Sequence, residues 1–119
     1  MHALPLIVML ATSPAADDTA LTAALERGEQ VFNMTCATGY CHAVRGGAGG
    51  RGARLAARGF TQNYIRTVAT EGRAGTAMPA FKDRLTAAEL DAVVAYVATL
   101  NGIETPEIGA AGAVTAPEA

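Results

Sequence analysis

Residues 36–42 read CATGYCH, and they hold the only two cysteines of this 119-residue chain, directly ahead of His42. Four residues separate Cys36 from Cys41. So many soft donors in so short a stretch constrain the fold. The segment closes a small disulfide ring, joins a metal site or holds a cofactor. A ring this short removes little chain entropy, so a disulfide would stabilise only modestly and would leave His42 without a role. Structural zinc takes four Cys or His ligands as a rule, and the only other histidine is His2, near the N-terminus. A nucleophilic Cys–His pair lacks a third orienting residue, and adjacent side chains seldom face each other.

A histidine immediately after a second cysteine suits covalently held haem: two thiols form thioethers and the imidazole reaches the iron. The usual spacing is C-x-x-C-H, so C-x-x-x-x-C-H requires a bulge. Gly39 lies inside it and can adopt backbone angles that other residues avoid. "NMT" at Asn33 is formally a glycosylation triplet, read here as chance at the end of a packed helix.

The rest of the chain predicts an all-α fold of three main helices with long loops. The first helix is expected over Thr19–Met34, capped by Asp17 or Asp18, with Leu21, Leu25, Gly28, Val31 and Phe32 on one face. A glycine costs a helix about 1 kcal/mol relative to alanine; on an apolar face it implies that another element crosses closely there. The second helix is expected over Thr61–Ala69, capped by Thr61, with Tyr64, Ile65 and Val68 as its stripe and Gly72 as its stop. The third opens on a capping box, Thr86 with Glu89. It carries Leu90, Val93, Val94, Val97 and Leu100 at helical spacing, with Tyr96 beside them, and stops at Gly102. The intervening segments, "AVRGGAGGRGARLAARG" and "RAGTAMPAFKDRL", are long for so small a domain. A large flat ligand between them would explain how they stay ordered.

The ends differ from this core. Leu4–Ala11 is an apolar run followed by small residues, which resembles a secretory signal cleaved near Ala15 or Ala16. Residues 1–16 are therefore expected to be an export segment, with the bacterial periplasm as destination, and the run is too short to span a bilayer. Residues 102–119 are rich in Ala, Gly, Pro and Glu and are expected to be disordered. The domain is thus placed at 17–101. The net charge of -2 gives no reason to expect nucleic acid as a partner. From Ala43 to Leu85, however, eight basic residues face only Glu71 and Asp83, a net of +6 against -8 for the remainder. That imbalance suggests a basic rim around a site.

If haem is held at Cys36, Cys41 and His42, the search for a second axial ligand is short. Met1 and Met9 lie in the leader-like segment and Met34 is tied to the cysteine side. Met78 remains, in "GTAMPAF", where Pro79 restricts it to extended angles and stiffens the loop. Lys82 is the reserve.

At this point the chain resembles the small class I c-type cytochromes. The resemblance covers residues 26–100 and rests on an ordered series: "GEQVF", "CH", a glycine-rich loop, "GARL", "NYIRTVATEG", "AMPAF" and "LDAVVAYVATL". It implies a cytochrome c-like fold around one covalent haem c and its iron. Cys36 and Cys41 would form the thioethers, with His42 proximal and Met78 distal. The first and last helices would cross at Gly28 and Phe32 against Tyr96. Leu55, Tyr64, Ile65, Val68 and Phe81 would line the haem pocket. The family usually has proline where this chain has Ala53; the backbone carbonyl there is still expected to accept from the proximal imidazole.

The function so implied is electron transfer, not catalysis. The alternative is a haem module that binds small ligands or catalyses through a labile sixth position. A third is a small exported interaction protein held by one disulfide. Arg51, Arg54 and Arg73 are the candidates to contact haem propionates or a partner. Expected partners are redox proteins: a dehydrogenase, an oxidase or another cytochrome.

Overall fold

The computed structural model describes residues 2–7, 14–38 and 41–109. Three helices dominate: α1, Pro14–Val31; α2, Gln62–Glu71; and α3, Ala87–Leu100. Single short turns of helix lie at Phe32–Cys36, Val44–Gly46 and Phe81–Asp83, and there is no strand among the described residues. The fold is all-α, as the sequence pattern predicts. No helix among those residues is long and apolar enough to cross a membrane.

α1 begins ahead of Thr19, so the boundary expected near Ala15 or Ala16 falls in its first turn. It also ends sooner than Met34. The chain widens into a π-helical turn over Phe32–Cys36, closed by the Ala37 N–H on the Phe32 carbonyl at 2.8 Å. Such wide turns shift side chains off the register of the helix they extend. Here the turn keeps Phe32 fully buried while Cys36 packs at the edge of the core.

α1 crosses α3 at Gly28. A Cβ added there would collide with the Ala92 carbonyl and come within 2.8 Å of Tyr96 Cβ. One turn along, Phe32 and Tyr96 meet with ring centroids 5.5 Å apart and planes tilted by 52°. α3 is buried without interruption from Leu90 to Ala98, so it is more than the one-sided stripe its spacing suggests. Ala92, Ala95 and Ala98 let neighbours approach closely, and such all-round burial marks a central helix. α2 packs on another side of α3.

The caps follow local chemistry. Thr61 Oγ1 accepts the Tyr64 N–H at 3.1 Å to open α2. Thr86 and Glu89 form the reciprocal capping box of α3, at 3.0 and 3.1 Å. Glu89 also accepts from Arg27 at 3.0 Å, fastening α1 to the start of α3.

Residues 103–109, placed beyond the domain by the sequence pattern, make contacts with α2 and α3. Gln62 grips the Glu107 backbone from both sides, donating to its carbonyl at 2.6 Å and accepting its N–H at 2.9 Å. Pro106 is buried. The Gly109 N–H donates to Asp91 at 2.6 Å, and Arg66 donates to the same buried carboxylate. Two polar side chains hold this segment, alongside Ile103 packed on the core and the buried Pro106. Composition therefore gave no sign of it. Residues 110–119 lie outside the described chain, as do residues 1 and 8–13 of the leader-like segment.

Gly28→Ala should destabilise the protein by about 1–3 kcal/mol, because overpacking against backbone outweighs the roughly 1 kcal/mol gain in helix propensity. Urea unfolding measures it; an unchanged midpoint would mean the helices do not cross there. The Glu89 carboxyl is held below its ordinary value, first by the Thr86 N–H and less by Arg27, against the opposing effect of burial. A lowered folded value makes its contribution complete above the unfolded value of about 4.5 and lost as pH falls through the folded one. Wild type should therefore exceed Glu89→Gln by about 0.5 kcal/mol at pH 7, with the gap closing as the pH drops below about 4.5. A gap independent of pH would refute the charge effect.

Candidate cofactor site

One cavity of about 410 Å³ opens against α3, where Val93, Val94 and Val97 form its inner wall. Phe32 and Ile65 extend that wall from α1's end and from α2. Cys36, Cys41 and His42 line the cavity, and so does Met78, from the loop between α2 and α3. The expected pocket residues Leu55, Tyr64, Ile65, Val68 and Phe81 all lie on its surface, together with Arg51 and Arg73. Tyr64 is 42% exposed and Cys41 is exposed, which marks where the wall meets solvent.

The His42 ring is held by backbone. Its Nδ1 lies 2.8 Å from the Ala53 carbonyl. A carbonyl only accepts, so Nδ1 carries the proton, and in the neutral ring the lone pair is on Nε2. Alanine at 53 thus still offers the carbonyl that a proline would have fixed. The glycines of the preceding loop make room for this contact. A Cβ on Gly52 would lie 2.9 Å from both Nδ1 and Cε1 of His42, and one on Gly50 would lie 2.7 Å from the Cys41 carbonyl. The Gly52 N–H also donates to the Cys41 carbonyl at 2.5 Å. The glycine richness that looks like a flexible loop is a close backbone approach on both sides of the Cys–His pair.

Met78 is anchored at both backbone groups. Its carbonyl accepts the Arg73 N–H at 3.2 Å, and its N–H donates to Thr76 Oγ1 at 3.3 Å. Thr76 in turn donates to the Arg73 carbonyl at 2.8 Å. Gly72, at φ +70°, brings the end of α2 against the Met78–Pro79 backbone, where a Cβ would sit 2.7 Å from the Met78 carbonyl. Glu71 and Lys82 pair at 2.8 Å and tie the far side of the loop back to α2. Lys82, the reserve ligand, is therefore engaged away from the cavity wall.

No disulfide joins Cys36 and Cys41. Burial, with Cys41 adding repulsion, pushes the Cys36 thiol up to about 11. It keeps its proton at neutral pH and is no thiolate nucleophile. Among the described residues no three His, Cys, Asp or Glu side chains group as metal ligands, the arrangement that zinc would require. Gly39 and Tyr40, and with them the expected bulge at Gly39, lie outside the described residues.

Two wall residues carry no sequence signal. Ala57 adopts φ +54°, turning the chain so that Arg58 returns to the cavity, stacked 4.9 Å above the Phe60 ring and donating to the Arg54 carbonyl at 2.9 Å. Arg58 thus takes the place anticipated for Arg54, which is exposed and off the wall. Phe60 lies 4.9 Å from the Tyr64 ring. Three guanidinium-bearing residues, Arg51, Arg58 and Arg73, border the cavity, and among the described residues no Asp or Glu does.

The family model described as cytochrome c oxidase, cbb3-type, subunit III matches residues 23–97. The chain belongs to this family of c-type cytochrome domains. No curated protein and no solved structure matches it. A c-type cytochrome carries haem c with its iron and serves haem-based electron transfer. The residues present fit that group: apolar walls, two thiols, an imidazole with one nitrogen already engaged, a thioether, and cationic borders suited to carboxylates.

Gly52→Ala should displace the imidazole and cost about 1–3 kcal/mol through overpacking. Gly47→Ala, where a Cβ meets only ordinary contact at 3.6 Å, should be nearly neutral. Histidine ring NMR together with thermal unfolding checks both; equal behaviour of the two variants would refute the packing role of Gly52.

Proposed function

We propose that this chain is a one-electron carrier holding a single haem c, with Cys36 and Cys41 as thioether attachments, His42 as proximal ligand and Met78 as distal ligand. The observation that carries this reading is the bond between His42 Nδ1 and the Ala53 carbonyl. Such a second partner fixes the tautomer and orientation of a ligating imidazole and raises its basicity. Haem c, when bound, supplies an iron centre that changes by one electron, and a thioether ligand favours its reduced form relative to a second imidazole.

The chain's own residues do the rest. Val93, Val94, Val97, Ile65 and Phe32 exclude water. Arg51, Arg58 and Arg73 offer guanidinium groups to the two carboxylates of the haem, as planar, permanently charged donors suited to carboxylate geometry. The doubly anchored Met78 loop presents its thioether with little rearrangement, which suits electron exchange rather than substrate turnover. Arg54, exposed and next in sequence to the wall residue Leu55, is available to an acidic partner surface.

The partners so proposed are redox proteins: a dehydrogenase as donor, and an oxidase or another cytochrome as acceptor. The description of the matched family supports an oxidase among them. Redox encounters of this kind use small, transient interfaces. Export to the periplasm rests on the apolar run Leu4–Ala11.

Met78→Ala tests the assignment. The variant should have a lower reduction potential, and its reduced form should bind carbon monoxide rapidly, whereas the wild type resists it. An unchanged potential and visible spectrum would exclude Met78 as a ligand. Rapid stoichiometric carbon monoxide binding by the wild type would favour a ligand-binding module instead.

A further inference from the structure

Asn101 follows the last residue of α3 and does not touch the cavity, yet all of its amide valences are used on residues that do. Its Nδ2 donates to the Leu55 carbonyl at 2.8 Å and to the Val97 carbonyl at 3.0 Å. Its Oδ1 accepts the Arg58 N–H at 2.9 Å and the Phe60 N–H at 3.3 Å. Leu55, Arg58, Phe60 and Val97 all line the cavity.

The segment gripped in this way has no regular structure of its own. It contains two left-handed residues, Ala57 at φ +54° and Gly59 at φ +67°. A left-handed alanine is strained and persists only where its surroundings over-determine it. The one other backbone tie from α3 to this stretch is the Ala57 N–H on the Leu100 carbonyl, at 2.9 Å. Without Asn101, the Arg58 and Phe60 N–H groups and the Leu55 carbonyl would all lose their partners. The Leu55 and Ala56 N–H groups would still be held by the Gly46 carbonyl, so the shift would fall mainly on Arg58 and Phe60.

We infer that Asn101 is a positioning residue for the cofactor cavity: from behind the wall, its amide fixes Leu55, Arg58 and Phe60 and so sets how closely water and the Arg58 charge approach the bound group. The inference rests on the reading of this cavity as the haem site. Solvent exposure and nearby charge are among the factors that set a haem potential. Loosening the wall admits water, which favours the more highly charged oxidised state.

The test compares Asn101→Ala with Thr86→Ala, a cap removal expected to cost about 1 kcal/mol of stability without touching the wall. Asn101→Ala should shift the electron-exchange equilibrium against a fixed redox partner about tenfold toward the oxidised protein, which is about 59 mV for one electron. Thr86→Ala should shift it less than about twofold on the same one-electron scale. Equal shifts in the two variants would reduce Asn101 to a structural cap and overturn the inference. Should Asn101→Ala fail to fold, amide hydrogen exchange in the wild-type holoprotein decides. Arg58 and Phe60 N–H protected like the amides of α3 would support the inference, and exchange as fast as at Gly49 or Gly75 would overturn it. Wild-type protein whose mass lacks a covalently attached haem would instead sink the proposed function; haem present with an unmoved Asn101→Ala sinks this inference alone.

Discussion

At Gly28, α1 lies on α3 so closely that a single methyl group would strike the Ala92 carbonyl. That contact decides which sides of α3 are left for other uses. With Ala92 and Tyr96 covered by α1, the Val93, Val94 and Val97 positions turn toward the cavity, and Asp91 turns toward Arg66 of α2. The end of α1 is set by the same crossing. Phe32 seats on Tyr96, and the wide turn that follows delivers Cys36 to the cavity edge. The Cys36 segment is thus referenced to the close crossing of α1 and α3.

The two long loops are organised by contact with those helices rather than by structure of their own. Gly50 and Gly52 bring one loop's backbone against Cys41 and His42, and Asn101 holds its later part against the end of α3. The Met78 loop is closed by Arg73, Thr76 and Gly72 at the end of α2. Each glycine in these contacts stands where any side chain would separate two backbones. Loop composition that resembles flexibility therefore encodes proximity.

What was legible in the sequence depended on how far apart the interacting residues lie. Thr61, Thr86 with Glu89, Gly28 and the stiff Met78–Pro79 pair declare themselves through neighbours within a turn or two, and the helices they delimit lie where expected. The pocket residues followed from resemblance to a family, not from periodicity. Arg58, Phe60 and the grip of Asn101 were not legible, because Asn101 meets Leu55, Arg58 and Phe60 across more than forty residues and Ala57 gives no hint of a left-handed turn. The docking of 103–109 escaped for the same reason. It rests on Gln62 and Asp91, polar side chains whose partners are backbone groups of a remote segment.

A chain this small, with alanine filling much of its central helix, buries few large side chains: among the described residues only Phe32 and Val94 are both large and fully enclosed. Its cavity is walled by residues that in a larger domain would pack against one another. Apolar walls exposed to water forgo the burial term that stabilises most folds, about 25 cal/mol for each Å² left wet. A haem bound there, as proposed, would therefore complete the core as well as carry the electron. On that reading the same three wall elements, α3, the loop pinned by Asn101 and the loop of Met78, would set both stability and potential. A change that loosens one of them is felt in both properties. A change confined to the outer face of α1 is felt in stability alone.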